Sequence, residues 1–155
     1  MPLELRLLGA PAVLLDGEAV ALATRKALAL LAYLALEGVT PRGKLADVLW
    51  SDMSEDAARN NLRKELFRLR ETPLRDALQV SATKLELSPE VSVDAVRFVH
   101  ASAIRDESAL SMYSGALLEG LELTGATGFE AWLEGKRSVI TEARQKLLAA
   151  RAARL

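Results

Sequence analysis

Apolar and polar residues alternate through Leu3-Glu4-Leu5-Arg6-Leu7, the period of a half-buried strand. Gly9 and Pro11 interrupt the pattern and Ala12-Val13-Leu14-Leu15 resumes it. Asp16-Gly17 then supplies a residue pair favoured in tight hairpin turns. Glu18 to Leu22 returns, so the chain is expected to open with a small antiparallel sheet. The period then lengthens. Thr24 is placed to cap a helix. Leu28, Leu31, Ala32, Ala35 and Leu36 mark that helix's apolar side and Gly38 stops it. Thr40-Pro41 predicts a second, short helix, with Thr as cap and Pro at the first helical position. Leu45, Val48, Leu49 and Trp50 form its apolar side. Ser54 predicts the cap of a third helix, in which Ala58, Leu62, Leu66 and Leu69 recur every three or four residues until Pro73. Leu78-Gln79-Val80 and Leu85-Glu86-Leu87 read as the strands of a hairpin around Ser81 to Lys84.

From Val93 onward the pattern is helical. Val96, Phe98, Val99 and Ile104 predict one helix, and Ala109, Leu110 and Tyr113 a second, with Gly115 and Gly120 as breaks. Thr127-Gly128-Phe129-Glu130 has the form of a capping box. It opens a long helix, expected to run to Leu155, with Phe129, Trp132, Leu133, Val139, Ile140, Ala143 and Leu147 on its apolar side. Phe129 and Trp132 are expected in the core. The stripe near Leu147 and Leu148 is expected either to pack back on the preceding domain or the 93–121 helices, or to meet another copy of the chain. Intramolecular packing is favoured for the first half of the helix and partner contact for the last ten residues. The fold class is therefore α+β, with an N-terminal sheet, three helices and a hairpin over residues 1–92 and an all-α segment over 93–155.

Composition changes this picture little. Half of the 155 residues are hydrophobic and 26% are charged, enough for a core and a soluble surface. Without cysteine, disulfides and thiolate metal sites are excluded. The longest apolar run, Ala27 to Leu36, is half of the about 20 residues that span a membrane. No basic segment and long apolar run open the chain, so neither a signal peptide nor membrane association is expected and the location is read as cytoplasmic. The one histidine, His100, has no ligand partner at useful spacing and is expected to be partly buried and satisfied. No phosphate-binding loop or nucleophile motif is present, and no catalytic, cofactor-binding or metal-binding residue is expected.

Charge matters more locally. The net charge of −1 does not suggest nucleic acid. Yet Asp47 to Asp56 holds four acids and no base, while Arg59 to Arg75 holds six bases and two acids, a local excess of four positive charges. With Leu62, Leu66 and Leu69 inward, the opposite side of the third helix offers Asn60, Arg63, Lys64, Phe67 and Arg68, flanked by Arg59 and Arg70. Arginine takes guanine bidentately, asparagine takes adenine, lysine neutralises phosphate and an exposed aromatic meets a thymine methyl. Many such faces are merely solvated. Here the preceding short helix and turn give helix-turn-helix order, and Glu65 is the one acid expected on the groove side. Trp50, just before the turn, is expected to fill the core, and its indole N–H can at the same time donate to a phosphate. At the hairpin tip only Lys84 is basic.

The order of these elements resembles an OmpR-like winged helix, and more closely the form in the Streptomyces antibiotic regulatory proteins. The matching pieces are Asp47-Val48-Leu49-Trp50, Ala58-Arg59-Asn60-Asn61-Leu62 and Arg68-Leu69-Arg70. Residues 93–155 resemble the start of the tetratricopeptide-like bacterial transcriptional activator domain that follows it. There the pieces are Val93 to Phe98, Tyr113-Ser114-Gly115-Ala116-Leu117-Leu118, Phe129-Glu130-Ala131-Trp132-Leu133 and Arg137. The resemblance implies an activator that binds direct-repeat sites on double-stranded DNA and contacts RNA polymerase. Pairing of two copies through the C-terminal stripe, a homodimer on DNA, would suit such a repeated site. It also implies that Trp50, Asn60, Arg63, Lys64 and Arg68 face DNA. The family's wing often carries a Gly-Tyr-Arg type strand, where this chain has Thr83-Lys84-Leu85. The activator domain is ordinarily longer, so the chain is expected to be a piece of a larger regulator. The alternative is a protein-interaction scaffold whose winged helix no longer binds DNA.

Overall fold

A computed structural model describes residues 2–155. It is a mixed α and β structure with two small sheets. Strands β1 (Leu3–Arg6), β2 (Ala12–Leu15) and β3 (Glu18–Ala19) form the expected opening sheet. Leu3 lies opposite Leu15 and Leu5 opposite Val13, which buries Leu3, Leu5 and Val13. Asp16 and Gly17 turn the chain with φ of 52° and 83°, the left-handed pair whose twist matches the flanking strands.

Helix α1 (Arg25–Glu37) is capped as expected: the Thr24 hydroxyl accepts from the Ala27 N–H at 3.0 Å, and Gly38 closes the far end with φ 77°. Thr40-Pro41 departs from expectation. It forms a two-residue strand, β4, whose Thr40 lies opposite Leu85 of β6 (Lys84–Leu87). The Thr40 hydroxyl donates to the Gly38 carbonyl at 2.9 Å and is lost as a cap. Helix α2 (Arg42–Leu49) consequently starts after Pro41 with no side-chain cap. Helix α3 (Glu55–Arg70) starts where expected, with the Ser54 hydroxyl accepting from the Ala57 N–H at 3.2 Å. Glu55 and Asp56 in its first turn and Arg68 and Arg70 in its last suit the helix dipole. Strand β5 (Leu78–Val80) pairs with β6 to give the expected hairpin.

The remaining segment is tied to the first sheet from its start. Strand β7 (Ser92–Val93) runs parallel to β1, giving the order β3-β2-β1-β7. Helix α4 (Asp94–Ala103) follows directly. The buried Asp94 carboxylate accepts from the backbone N–H groups of Leu7 at 2.7 Å, Leu8 at 3.1 Å and Ala95 at 2.7 Å. Further on, the Gly9 N–H donates to the Ala116 carbonyl at 2.9 Å and the Leu118 N–H to the Leu7 carbonyl at 2.7 Å. One hydrophobic cluster runs from Leu3 to Leu147.

Four expectations for this segment need correction. Ile104 is not part of α4 but lies just past it, 77% exposed, where Arg105 turns the chain with φ 57°. His100 is exposed on α4, not partly buried. The second helix is a 3-10 segment, Glu107–Met112, held at its start by the Asp106 carboxylate accepting from the Ser108 N–H at 3.2 Å. The long helix α5 (Thr127–Ala153) is not capped by Thr127, because that hydroxyl turns away to Asp52. Along α5, Phe129 is fully buried and Trp132 half-buried. The helix packs against α4 and the 3-10 segment, and Leu147 is fully buried within the chain. Leu147 thus takes the intramolecular of the two expected covers, with Leu148 half-buried beside it. Among the described residues no helix is long and apolar enough to cross a membrane.

Candidate nucleic-acid interface

The buried side of α3 is Ala58, Leu62, Leu66 and Leu69, as the spacing predicts, with one addition. Glu65 is also buried, at 5% exposure, and not on the groove side. Its carboxylate accepts from the Thr24 hydroxyl at 2.9 Å and pairs with Arg68 Nη1 at 2.9 Å. Burying a carboxylate is costly unless it is paired and hydrogen-bonded, and both conditions are met here. The acid in the middle of α3 thus fastens α1 to α3 from within.

At about 3.6 residues per turn, the strip opposite the leucines is Asn60, Lys64 and Phe67. Arg63 lies along one side of it and Arg68 along the other. All five are exposed, and Phe67 is 64% exposed. Among the described residues Arg63 and Lys64 form no ion pair, so their charges face solvent uncommitted. Arg59 is exposed and pairs with Glu55 one turn earlier at 2.7 Å, an exposed contact that exchanges easily with solvent or phosphate. Arg68 is divided: Nη1 holds Glu65 while its side chain is about half exposed.

Trp50 sits at the end of α2 and is only 6% exposed, so its body belongs to the core. The Lys26 ammonium lies 5.0 Å from the ring centroid and donates to the Leu49 carbonyl. Burial pushes the Lys26 pKa below its ordinary value, against the opposing pull of Glu65 and Asp52. Lys84 is exposed as the first residue of β6, beside Pro41. The hairpin turn is anchored to α2, since the Arg42 N–H donates to the Thr83 carbonyl at 2.9 Å and Arg42 Nη1 to the Ser81 carbonyl at 3.2 Å.

The periodicity gave no sign of the next feature. The turn between α2 and α3 is bound to the start of α5. Ser51 Oγ accepts from the Gly128 N–H at 2.9 Å and donates to the Val48 carbonyl at 3.1 Å. Thr127 Oγ1 donates to Asp52 Oδ1 at 3.4 Å. The local signal for it is the glycine at 128, which leaves room for a close approach.

No family model matches this sequence, and no curated protein matches it. Among solved structures it superposes on Mycobacterium tuberculosis EmbR in complex with low affinity phosphopeptide, with a TM-score of 0.70 and 23% identity over 97% of this chain. The chain spans about half that structure's length, 46%. The two share a fold.

Proposed function

We propose that this chain is a DNA-binding transcription regulator in which α2, the turn and α3 form a helix-turn-helix and β5–β6 a wing. On this reading residues 1–92 are the DNA-binding part. Residues 93–155 are the opening of a tetratricopeptide-like helical activator domain. One observation carries the proposal: α3 presents Asn60, Arg63, Lys64, Phe67 and Arg68 outward while Glu65 is turned into the core. The outward set combines a base-reading amide, guanidinium groups, a phosphate-neutralising lysine and an apolar surface for thymine, with no acid among them. Arg59 and Lys84 add phosphate contacts at the margins, and Trp50 contributes through the edge of its indole. An activator that binds direct repeats and touches RNA polymerase is the form in which the family resemblance completes this reading.

The test is titration of duplex DNA across a range of salt concentrations. Neutralised phosphates release counterions, so log K should fall linearly with log salt, with a slope of about −0.9 per phosphate contact. Replacing Arg63 by Ala should cost about 1–3 kcal/mol of binding if it pairs with a base, or reduce the slope by about one if it contacts phosphate. Salt-independent or undetectable binding would sink the DNA reading and leave the scaffold in its place.

A further inference from the structure

We infer that Ser51 and Gly128 form a strut that sets the angle at which α3 meets DNA, an inference that rests on the DNA-binding reading above. The α5 N-terminus has no side-chain cap of its own. The Gly128 N–H, one of the orphan donors of its first turn, finds its acceptor in Ser51 Oγ at 2.9 Å. The same hydroxyl donates to the Val48 carbonyl at 3.1 Å, one of the orphan acceptors at the end of α2. One serine therefore splices the end of α2 to the start of α5. Two further contacts flank it, Asp52 N–H to the Gly125 carbonyl at 3.4 Å and Thr127 Oγ1 to Asp52 Oδ1 at 3.4 Å.

A side chain at 128 fits only if the Ser51 hydroxyl gives way. A Cβ at 128 would stand 2.7 Å from Ser51 Oγ and 3.5 Å from the Val48 Cα. Ser51 and Asp52 are also the residues through which α2 passes to α3, whose cap, Ser54, follows at once. Lys26 of α1 in turn holds the Leu49 carbonyl and lies over the Trp50 ring. The turn is thus gripped by α1 and by α5, neither of which contributes to the exposed strip of α3. A recognition helix fixed in advance avoids an ordering cost on binding, so loosening the grip should weaken binding without touching a DNA-facing residue.

The experiment compares four full-length proteins and one control on a duplex selected by the parent from random-sequence oligonucleotides. They are the parent, Ser51→Ala, Gly128→Ala and the double variant, with Arg63→Ala as control. All are measured at a temperature where circular dichroism shows each fully folded. In Gly128→Ala the methyl drives the Ser51 hydroxyl off both partners, and binding should weaken roughly fivefold. In the double variant the Ser51 oxygen is gone and the methyl has room. That protein should bind no more weakly than Ser51→Ala alone, so the two losses should not add. By reciprocity, duplex DNA should slow hydrogen exchange at the Gly128 amide of the parent. Parent-like affinity in Gly128→Ala, additive losses, or exchange at Gly128 indifferent to DNA would each overturn the strut. If in that case Arg63→Ala still weakens binding, the DNA reading stands alone. If the parent selects no duplex, both readings fall.

Discussion

Helices α3 and α5 carry similar sequence: an amphipathic stripe, a phenylalanine and several arginines. The fold treats them differently. Phe129 of α5 is 1% exposed, whereas Phe67 of α3 faces solvent. Arg137 of α5 spends Nε on the Leu117 carbonyl at 2.9 Å and Nη2 on the Leu118 carbonyl at 3.2 Å, whereas Arg63 holds no counter-charge among the described residues. Phe129 and Arg137 are consumed by the interior, whereas Phe67 and Arg63 are left over. What a helix does for a partner is measured by what remains after its own fold is satisfied, not by its composition.

The strongest way to break that contrast is to truncate both phenylalanines. Phe129→Ala should cost about 3–5 kcal/mol of stability through lost burial and a cavity. Phe67→Ala should lie within about 0.5 kcal/mol of the parent. Urea unfolding of the two variants side by side decides it, and equal losses would erase the distinction between the helices.

Arg68 falls between the two cases and sharpens the line. Arg68→Ala strands the buried Glu65 carboxylate and should cost about 1–3 kcal/mol of stability as well as weakening DNA binding. Arg63→Ala should affect binding alone. An unchanged unfolding midpoint for Arg68→Ala would mean that Glu65 is held by Thr24 without it.

The smallest effect lies at the surface, where α1 and α5 meet. Trp132 Nε1 donates to Glu37 at 2.6 Å, and its ring lies 4.8 Å from that of Tyr33. Burial pushes the Glu37 carboxyl up. The Trp132 N–H, the Lys136 ammonium and the charge of Lys44 together outweigh this and hold it below the usual carboxylate range. A carboxyl so depressed contributes stability above its unfolded pKa and loses it as pH falls through the folded value. Trp132→Phe keeps a ring and removes the donor. It should cost about 1 kcal/mol near neutral pH and make the acid-induced loss shallower, as read from unfolding midpoints across pH.

Much of this was legible in the sequence, for a local reason. Thr24, Ser54 and Asp16-Gly17 act on neighbours within a few residues, so their roles survive folding unchanged. The burial of Leu62, Leu66 and Leu69 follows from spacing alone. The misreadings have the opposite cause. Thr40 and Thr127 look like caps, but strand pairing claims the first and Asp52, 75 residues away, claims the second. Glu65 looks like a surface acid because its partner Thr24 lies 41 residues off. The strut at Ser51 had no periodic signature, only a glycine at 128. Periodicity reports which side of a helix is buried, and it is silent about which distant turn will supply a missing acceptor.

The Asp94 carboxylate has a consequence for how the chain is made. It receives the Leu7 N–H from 87 residues away, and β7 beside it closes the outer side of β1. On a ribosome the first hairpin emerges long before that edge can be covered. During the interval β1 presents an unpaired row of backbone groups, a template for a neighbouring nascent chain. The polar residues on that strand, Glu4 and Arg6, joined at 3.1 Å, put charge along the waiting edge. The open side of β1 is therefore a feature of synthesis, and it closes once Ser92 to Asp94 fold against the strand.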